Sequence, residues 1–298
     1  VPKHKNALVG VGDDCALLRP EVGLELAVTT DMLVEGRHFL PGADPRALGH
    51  KSLAVNLSDL AAMGAAPKWM LLAIGMPTVD EAWLAAFSAG LFALAARYGV
   101  DLVGGDTTRS PQRTITITAI GEVPASVALY RAGARPGDDV WVSGELGGAA
   151  RGLAPPANAE AAKRLHEPEP RVELGERLRG MANAAIDVSD GLAGDLGHIL
   201  ERSRVGAVLE YERIPRSAAF RNLKNAELER DCVLSGGDDY ELLFTAASAR
   251  RADLEALGRE LGLPLARIGA IQSGDARLTV LDADGKAMNF KPGFDHFK

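Results

Sequence analysis

Hydrophobic and polar positions alternate along some stretches of the chain and recur every three or four residues along others. Leu24, Leu26 and Val28 share one face of an alternating run, which predicts a half-buried strand with Thr30 and Asp31 at its carboxyl end. Ile115, Ile117 and Ala119 alternate with threonines over 113–120 in the same way. Trp69 to Met76 is a continuous apolar run and predicts a buried strand, and Asp101 to Val103 a short one. Helical spacing governs Glu81 to Tyr98, where Trp83, Phe87, Leu91 and Leu94 form a stripe that reads as core.

Asp44 followed by Pro45 marks a helix start, an N-cap before a proline at the first helical position. This helix is expected to reach Met63, with Gly64 as its stop. Its Leu48, Ser52, Val55, Asp59 and Ala62 fall on one face, so Asp59 lies on a mostly small and apolar stripe. A buried carboxylate without partners is costly, and Asp59 therefore calls for a cation or several donors. A functional role is preferred here to a structural salt bridge.

Gly133-Ala134-Arg135-Pro136-Gly137-Asp138 is the clearest boundary and divides the chain into 1–134 and 135–298. Beyond it the pattern predicts a strand at Val140 to Val142, a helical stretch after the Gly-rich 144–148, and a helix at Val172 to Leu178. A strand ending in Ile186-Asp187-Val188-Ser189-Asp190-Gly191 precedes a helix from Leu192 to Arg202. A helix near Ala252 to Leu261 and a hairpin turning at Asp284-Gly285 close the chain.

Bulk properties narrow the function class. With 298 residues, 47% hydrophobic and 24% charged, the chain can build one large domain or two. A net charge of -7 without a Lys/Arg block argues against a nucleic-acid partner. The two cysteines, Cys15 and Cys232, have no metal or redox spacing and suit a reducing cytoplasm. No apolar run is long enough for a membrane span, and the amino terminus lacks the apolar core of a signal peptide. Val1 in place of an initiator methionine leaves room for preceding residues.

Carboxylates at strand ends or beside glycines recur at Asp14, Asp31, Asp106, Asp187, Asp190 and Asp238. Each alone can terminate a strand, and Asp13-Asp14 reads equally well as a tight turn. The preceding Gly10-Val11-Gly12 lacks the third glycine of a dinucleotide fingerprint, and bare carboxylates would repel a pyrophosphate. If several carboxylates converge, each pair about 4 Å apart costs roughly 4 kcal/mol at an effective dielectric near 20. Divalent cations relieve that repulsion, and oxygen donors without Cys/His spacing favour Mg²⁺ over zinc. No GxxxxGK(S/T) loop, HRD, DFG or HExxH motif is present. Residue types alone therefore reach a Mg²⁺-dependent enzyme acting on phosphates, with a nucleotide co-substrate.

Longer motifs narrow this further. The runs 10–18, Thr29 to Phe39, Val55 to Gly64, Gly104 to Arg109, Ile186 to Leu192, Ser235 to Leu242 and Gly293 to Phe297 resemble the thiamine-monophosphate kinase family, in the family's order and over almost the whole chain. That family is grouped with aminoimidazole-ribonucleotide synthetase and selenophosphate synthetase. The resemblance implies an α/β plus α+β, two-domain aminoimidazole-ribonucleotide synthetase-like architecture, with most metal ligands and the ATP site in 1–134. It implies direct transfer of the ATP γ-phosphoryl group to thiamine phosphate, several Mg²⁺ ions and a homodimer. By motif match, Asp14, Thr29, Thr30, Asp31, Asp59, Asp106, Asp187 and Asp190 would be Mg²⁺ ligands, with Asp31, Asp59 and Asp106 central to catalysis. Gly105, Asp106, Arg131 and Ser189 would contact ATP, and His38, Asp238 and Phe294 the thiamine substrate. Arg131 also reads as a surface arginine, and Phe294 as an ordinary core residue. Glu35 and Arg37 read as loop surface.

The chain departs from the family's pattern in lacking its opening segment and in carrying Asp238 where some members have Glu. Two other readings remain open: a sibling ATP-dependent synthetase, and a non-catalytic Mg²⁺/nucleotide sensor.

Overall fold

The structure, a computed structural model, describes residues 4–155, 158–291 and 293. The chain divides into two compact units, Val1–Ala128 and Leu129–Lys298. Residues 129–134, grouped with the first unit on sequence, sit with the second. There the Ala185 N–H donates to the Tyr130 carbonyl at 2.9 Å, and the Gly133 and Ala134 N–H groups donate to Ser203 Oγ, each at 3.1 Å.

The first unit opens with an antiparallel pair, β1 (Ala7–Val9) and β2 (Leu17–Leu18), whose connection carries Asp13 and Asp14. It continues through β3 (Leu24–Val34), α1 (Pro45–Ala62), β4 (Ala66–Met76), α2 (Glu81–Tyr98), β5 (Asp101–Arg109) and β6 (Thr114–Pro124). The last four strands form a sheet in the order β3-β6-β4-β5, parallel between β4 and β5 and antiparallel elsewhere. Asp44 caps α1 by accepting the Arg46 and Ala47 N–H groups at 3.2 and 3.4 Å. Helices α1 and α2 approach backbone to backbone, because a methyl group at Gly90 would run into the Arg46 carbonyl.

Two strands are longer than their local pattern predicts. Pairing with β6 runs from Leu24–Pro124 to Val34–Thr114, so Thr30 and Asp31 lie inside β3 and not at its end. Gly104 to Arg109, loop-like in composition, pairs residue by residue with Leu71 to Met76 and extends β5. Ile115, Ile117 and Ala119 lie at 0–1% exposure on the sheet face beneath α1. The opposite face is open: Leu26, Val28 and Met32 are 44%, 61% and 55% exposed, and Ala73 is exposed too. At its start the β4 run is buried on both faces, Met70 beneath α1 and Trp69 on the other face against Ala7 and Val103; that second face opens only further along the strand, at Ala73.

The second unit runs β7 (Asp138–Ser143), α3 (Gly148–Leu153), α4 (Ala159–His166), α5 (Val172–Leu178), β8 (Ala184–Asp187), α6 (Leu192–Ser203) and β9 (Gly206–Glu210). It ends with α7 (Ala226–Ser235), β10 (Leu242–Ala247), α8 (Arg251–Leu261), β11 (Leu265–Gln272) and β12 (Leu278–Leu281). Its six-stranded sheet has the order β12-β9-β11-β7-β10-β8, antiparallel except for the β12–β9 pair. Val140, Val142, Ile186 and Leu243 share a core with Leu196 and Ile199 of α6 and Val233 of α7. The alternate residues Trp141 and Phe244 stack at 6.4 Å between ring centres.

Candidate active site

In the first unit the donors gather where β3 crosses α1. Thr29 and Asp31 alternate with Thr30 and therefore face the helix. The Thr29 hydroxyl donates to Asp59 Oδ2. Because β3 is an edge strand, the Asp31 N–H lies outside the sheet ladder, and it donates to Asn56 Oδ1 at 3.2 Å. Asn56, at 0% exposure, is anchored in turn by donating to the Ser52 carbonyl at 3.1 Å. One helical turn, Asn56 to Asp59, thus fixes both ends of Thr29–Asp31. Thr30 points the other way, its hydroxyl 2.8 Å from that of Thr118. Asp106 is in register with Ala73, Thr116 and Met32, which places it on the open face at the far edge strand. Gly105 precedes it with φ +152°, and a side chain there would run into the Leu72 carbonyl.

His38 sits in the turn after β3. Its Nδ1 accepts the Val34 N–H at 3.0 Å, which puts the proton of the neutral ring on Nε2. Glu35 is not loop surface. It is paired with Arg113 at 3.2 Å, and the Arg113 guanidinium lies 5.1 Å over the Trp83 ring. This pair holds the turn that carries His38. Arg37 is exposed, as expected.

In the second unit two loops lie side by side. The Asp238 N–H donates to the Ser189 carbonyl at 2.9 Å, the Tyr240 N–H to the Val188 carbonyl at 2.8 Å, and the Val188 N–H to the Glu241 carbonyl at 2.8 Å. Asp187, Ser189, Asp190 and Asp238 are thereby brought onto one edge of this unit. Asp238 and Tyr240 both adopt positive φ, +69° and +51°, a strained backbone for non-glycine residues. The Tyr240 hydroxyl donates to Asp238 Oδ1 at 2.9 Å and aims that carboxylate. Arg131 belongs to the same neighbourhood, since its charge is felt at Asp195, a buried residue of α6. Phe294 lies outside the described residues.

Residues 12–123 match the family model for AIR synthase related protein, N-terminal domain, and residues 135–280 match its C-terminal domain. The thiamine-monophosphate kinase of Escherichia coli (strain K12) is 45% identical over 300 residues, covering 97% of this chain and 92% of that protein. The crystal structure of thiamine-monophosphate kinase from Stenotrophomonas maltophilia K279a aligns with a TM-score of 0.89 at 47% identity, over 96% of this chain and 93% of that one. The chain belongs to the thiamine-monophosphate kinase family. The two-domain architecture that the motifs imply is borne out. Another solved structure, "AaThiL complexed with AMPPCP and TMP", aligns with a TM-score of 0.81 at 31% identity, over 94% of this chain and 89% of that one.

The Ser235 to Leu242 run of this family member also holds a buried carboxyl whose surroundings the motif does not reveal. Asp239 accepts the Gly147 and Ala149 N–H groups at 2.6 and 3.1 Å. Burial is the largest influence on its carboxyl, which is pushed up from 3.8 to about 7 against those two hydrogen bonds. A carboxyl raised on folding stays protonated in the fold while the unfolded chain releases its proton. The resulting stabilisation is complete below about pH 4 and is lost as the pH rises through about 7. The melting midpoint of the wild type should therefore fall more steeply between about pH 4 and 7 than that of Asp239→Asn, which does not titrate. Parallel profiles would show that Asp239 is ionised throughout.

Proposed function

We propose that this chain transfers the γ-phosphoryl group of ATP directly to thiamine phosphate, forming thiamine diphosphate and ADP. The observation that carries this reading is the likeness, over 94% of the chain, to the structure complexed with AMPPCP and TMP. The bond from the γ-phosphorus to the ADP oxygen breaks and its electron pair leaves with ADP. A bond forms to an oxygen of the acceptor phosphate. That acceptor is a monoester with a second pKa near ~6, so it arrives largely ionised and no strong general base is required.

The main obstacle is the mutual repulsion of two polyanions. The donors suit hard cations: hydroxyl and carboxylate oxygens at Thr29, Asp31 and Asp59 in the first unit, and carboxylates at Asp187 and Asp190 in the second. Among the described residues no three His, Cys, Asp or Glu side chains are grouped so as to hold an ion by themselves. An ion at these donors would need waters and substrate phosphate oxygens to complete its shell, as Mg²⁺ commonly takes. Mg²⁺ bound there would neutralise the phosphates and orient them for in-line transfer. We assign Asp14, Thr29, Thr30, Asp31, Asp59, Asp106, Asp187 and Asp190 to these ions. Of these, Thr30 and Asp106 lie on the open sheet face, opposite the face that meets Asp59. Gly105, Asp106, Arg131 and Ser189 are assigned to ATP. His38, with Nε2–H as donor, Asp238, aimed by Tyr240, and Phe294 are assigned to thiamine phosphate.

Purified protein with ATP, Mg²⁺ and thiamine phosphate should form thiamine diphosphate and ADP in equal amounts. ATP binding without product would favour a nucleotide sensor and overturn the proposal. The two free thiols, exposed Cys15 and buried Cys232, suit the cytoplasmic reading. No helix among the described residues is long and apolar enough to cross a membrane.

The assembly we propose is a homodimer, and the open sheet face with Leu26, Val28 and Met32 supports it. An exposed apolar row of this kind, broken only by Thr30, marks an association surface. Met32→Glu should shift the sedimentation coefficient from dimer toward monomer. A wild-type monomer, or a variant that stays dimeric, would refute this face.

A further inference from the structure

Ser189, Asp190 and Gly191 lead from β8 into α6. Their three consecutive N–H groups donate to a single atom, Oδ2 of Asp195, at 3.0, 3.1 and 3.1 Å. Asp195 is 2% exposed. Successive N–H groups pointing at one centre make the concavity with which loops commonly hold phosphate oxygens. In this chain a carboxylate of the protein's own occupies that centre. These N–H groups are consequently turned inward, away from any ligand, and recognition at this loop is left to the Ser189 and Asp190 side chains.

Helix capping alone does not account for the contact. Gly191 is the N-cap of α6 and has no side chain to offer, and an ordinary cap satisfies N–H groups inside the first turn. Two of the three N–H groups held by Asp195 belong to residues before the N-cap. The same segment is pinned from its other side, where the Ser189 carbonyl accepts the Asp238 N–H.

We propose that Asp195 is a positioning residue of the active site. By holding the 189–191 backbone it fixes the direction of the Ser189 hydroxyl and the Asp190 carboxylate. The proposal rests on the reading of Ser189 as an ATP contact and of Asp190 as a Mg²⁺ ligand. It predicts a defect confined to the nucleotide and its metal.

Asp195→Ala removes the acceptor, whereas Asp195→Asn keeps an amide oxygen for the same N–H groups. Steady-state kinetics on both variants should show KM for ATP raised about tenfold or more in Asp195→Ala and about threefold or less in Asp195→Asn. The Mg²⁺ concentration for half-maximal rate should rise in parallel, while KM for thiamine phosphate stays within about twofold of wild type. If both variants melt earlier but keep wild-type KM values per folded molecule, Asp195 is structural and the proposal fails. Should Asp195→Ala not fold, Asp195→Asn and Asp195→Ser decide: a graded rise in KM for ATP supports the proposal, and unchanged values overturn it. Wild-type turnover in the same assay reports separately on the functional reading. A wild type that binds ATP without turnover refutes the kinase reading only, and equilibrium ATP binding by the variants then decides on Asp195. A wild type that binds no ATP refutes both.

Discussion

Asp59→Asn is expected to lower kcat by about a hundredfold to a thousandfold, equivalent to losing one strong electrostatic contact with the transition state. Asp59 sits in the last turn of α1, half-buried, and accepts the hydroxyl of Thr29 across the gap to β3. Asparagine has nearly the same shape and retains one oxygen to accept that hydroxyl. The packing of α1, whose Leu53, Leu57 and Leu60 are 0–1% exposed, is left intact. What the substitution removes is a full negative charge beside Thr29 and Asp31. If Asp59 holds Mg²⁺ against the phosphates, that charge governs catalysis far more than folding. The variant should therefore melt within a few degrees of wild type, a shift of roughly 1 kcal/mol or less. The opposite pattern, a large loss of stability with normal kcat per folded molecule, would reduce Asp59 to an anchor for Thr29.

Local signals account for the elements that were legible before the structure. The helix at Glu81–Tyr98 begins and ends where its apolar period does, with Asp80 accepting the Trp83 N–H at 2.9 Å as its cap. Asp44-Pro45 announced α1 in the same way, and Val172–Leu178 is the predicted helix. Strand ends were less legible, since Gly104 to Arg109 has the composition of a loop and becomes a strand only through its register with β4. The acidic residues of the candidate site could be named individually from motif and spacing, but their placement could not. Period-two alternation does separate Thr29 and Asp31 from Thr30. That Asn56 takes up the Asp31 N–H depends on an edge strand meeting a helix 25 residues away. Asp195 carries no local mark, because its three partners are backbone N–H groups that look alike in any sequence. Glu35 was misread for a related reason: its partner Arg113 is 78 positions distant.

The second large effect concerns stability and arises from another pair without a local signal. Arg171→Ala should destabilise the protein by about 3–5 kcal/mol, the cost of leaving a buried charge uncompensated. Glu241 is 1% exposed at the start of β10. Arg171 reaches it from the residue before α5 with two hydrogen bonds, Nε to Oε2 at 2.7 Å and Nη2 to Oε1 at 2.5 Å. Ser143 donates to the same carboxylate at 2.6 Å, and Arg164 lies 3.8 Å away, too far to replace the bidentate contact. With Arg171 gone, Glu241 keeps its desolvation and loses its principal counter-ion. Arg171→Lys should be intermediate, because an ammonium restores the charge without the two-pronged geometry. The double variant Arg171→Met/Glu241→Gln should recover much of the loss, since it removes both charges. Urea unfolding of the four proteins, wild type and three variants, gives the comparison. A single variant Arg171→Ala within 1 kcal/mol of wild type would show that Arg164 or solvent compensates Glu241. Because Glu241 directly follows the strained Asp238–Tyr240 turn, the least stable folded variants should also lose affinity for thiamine phosphate before they lose affinity for ATP.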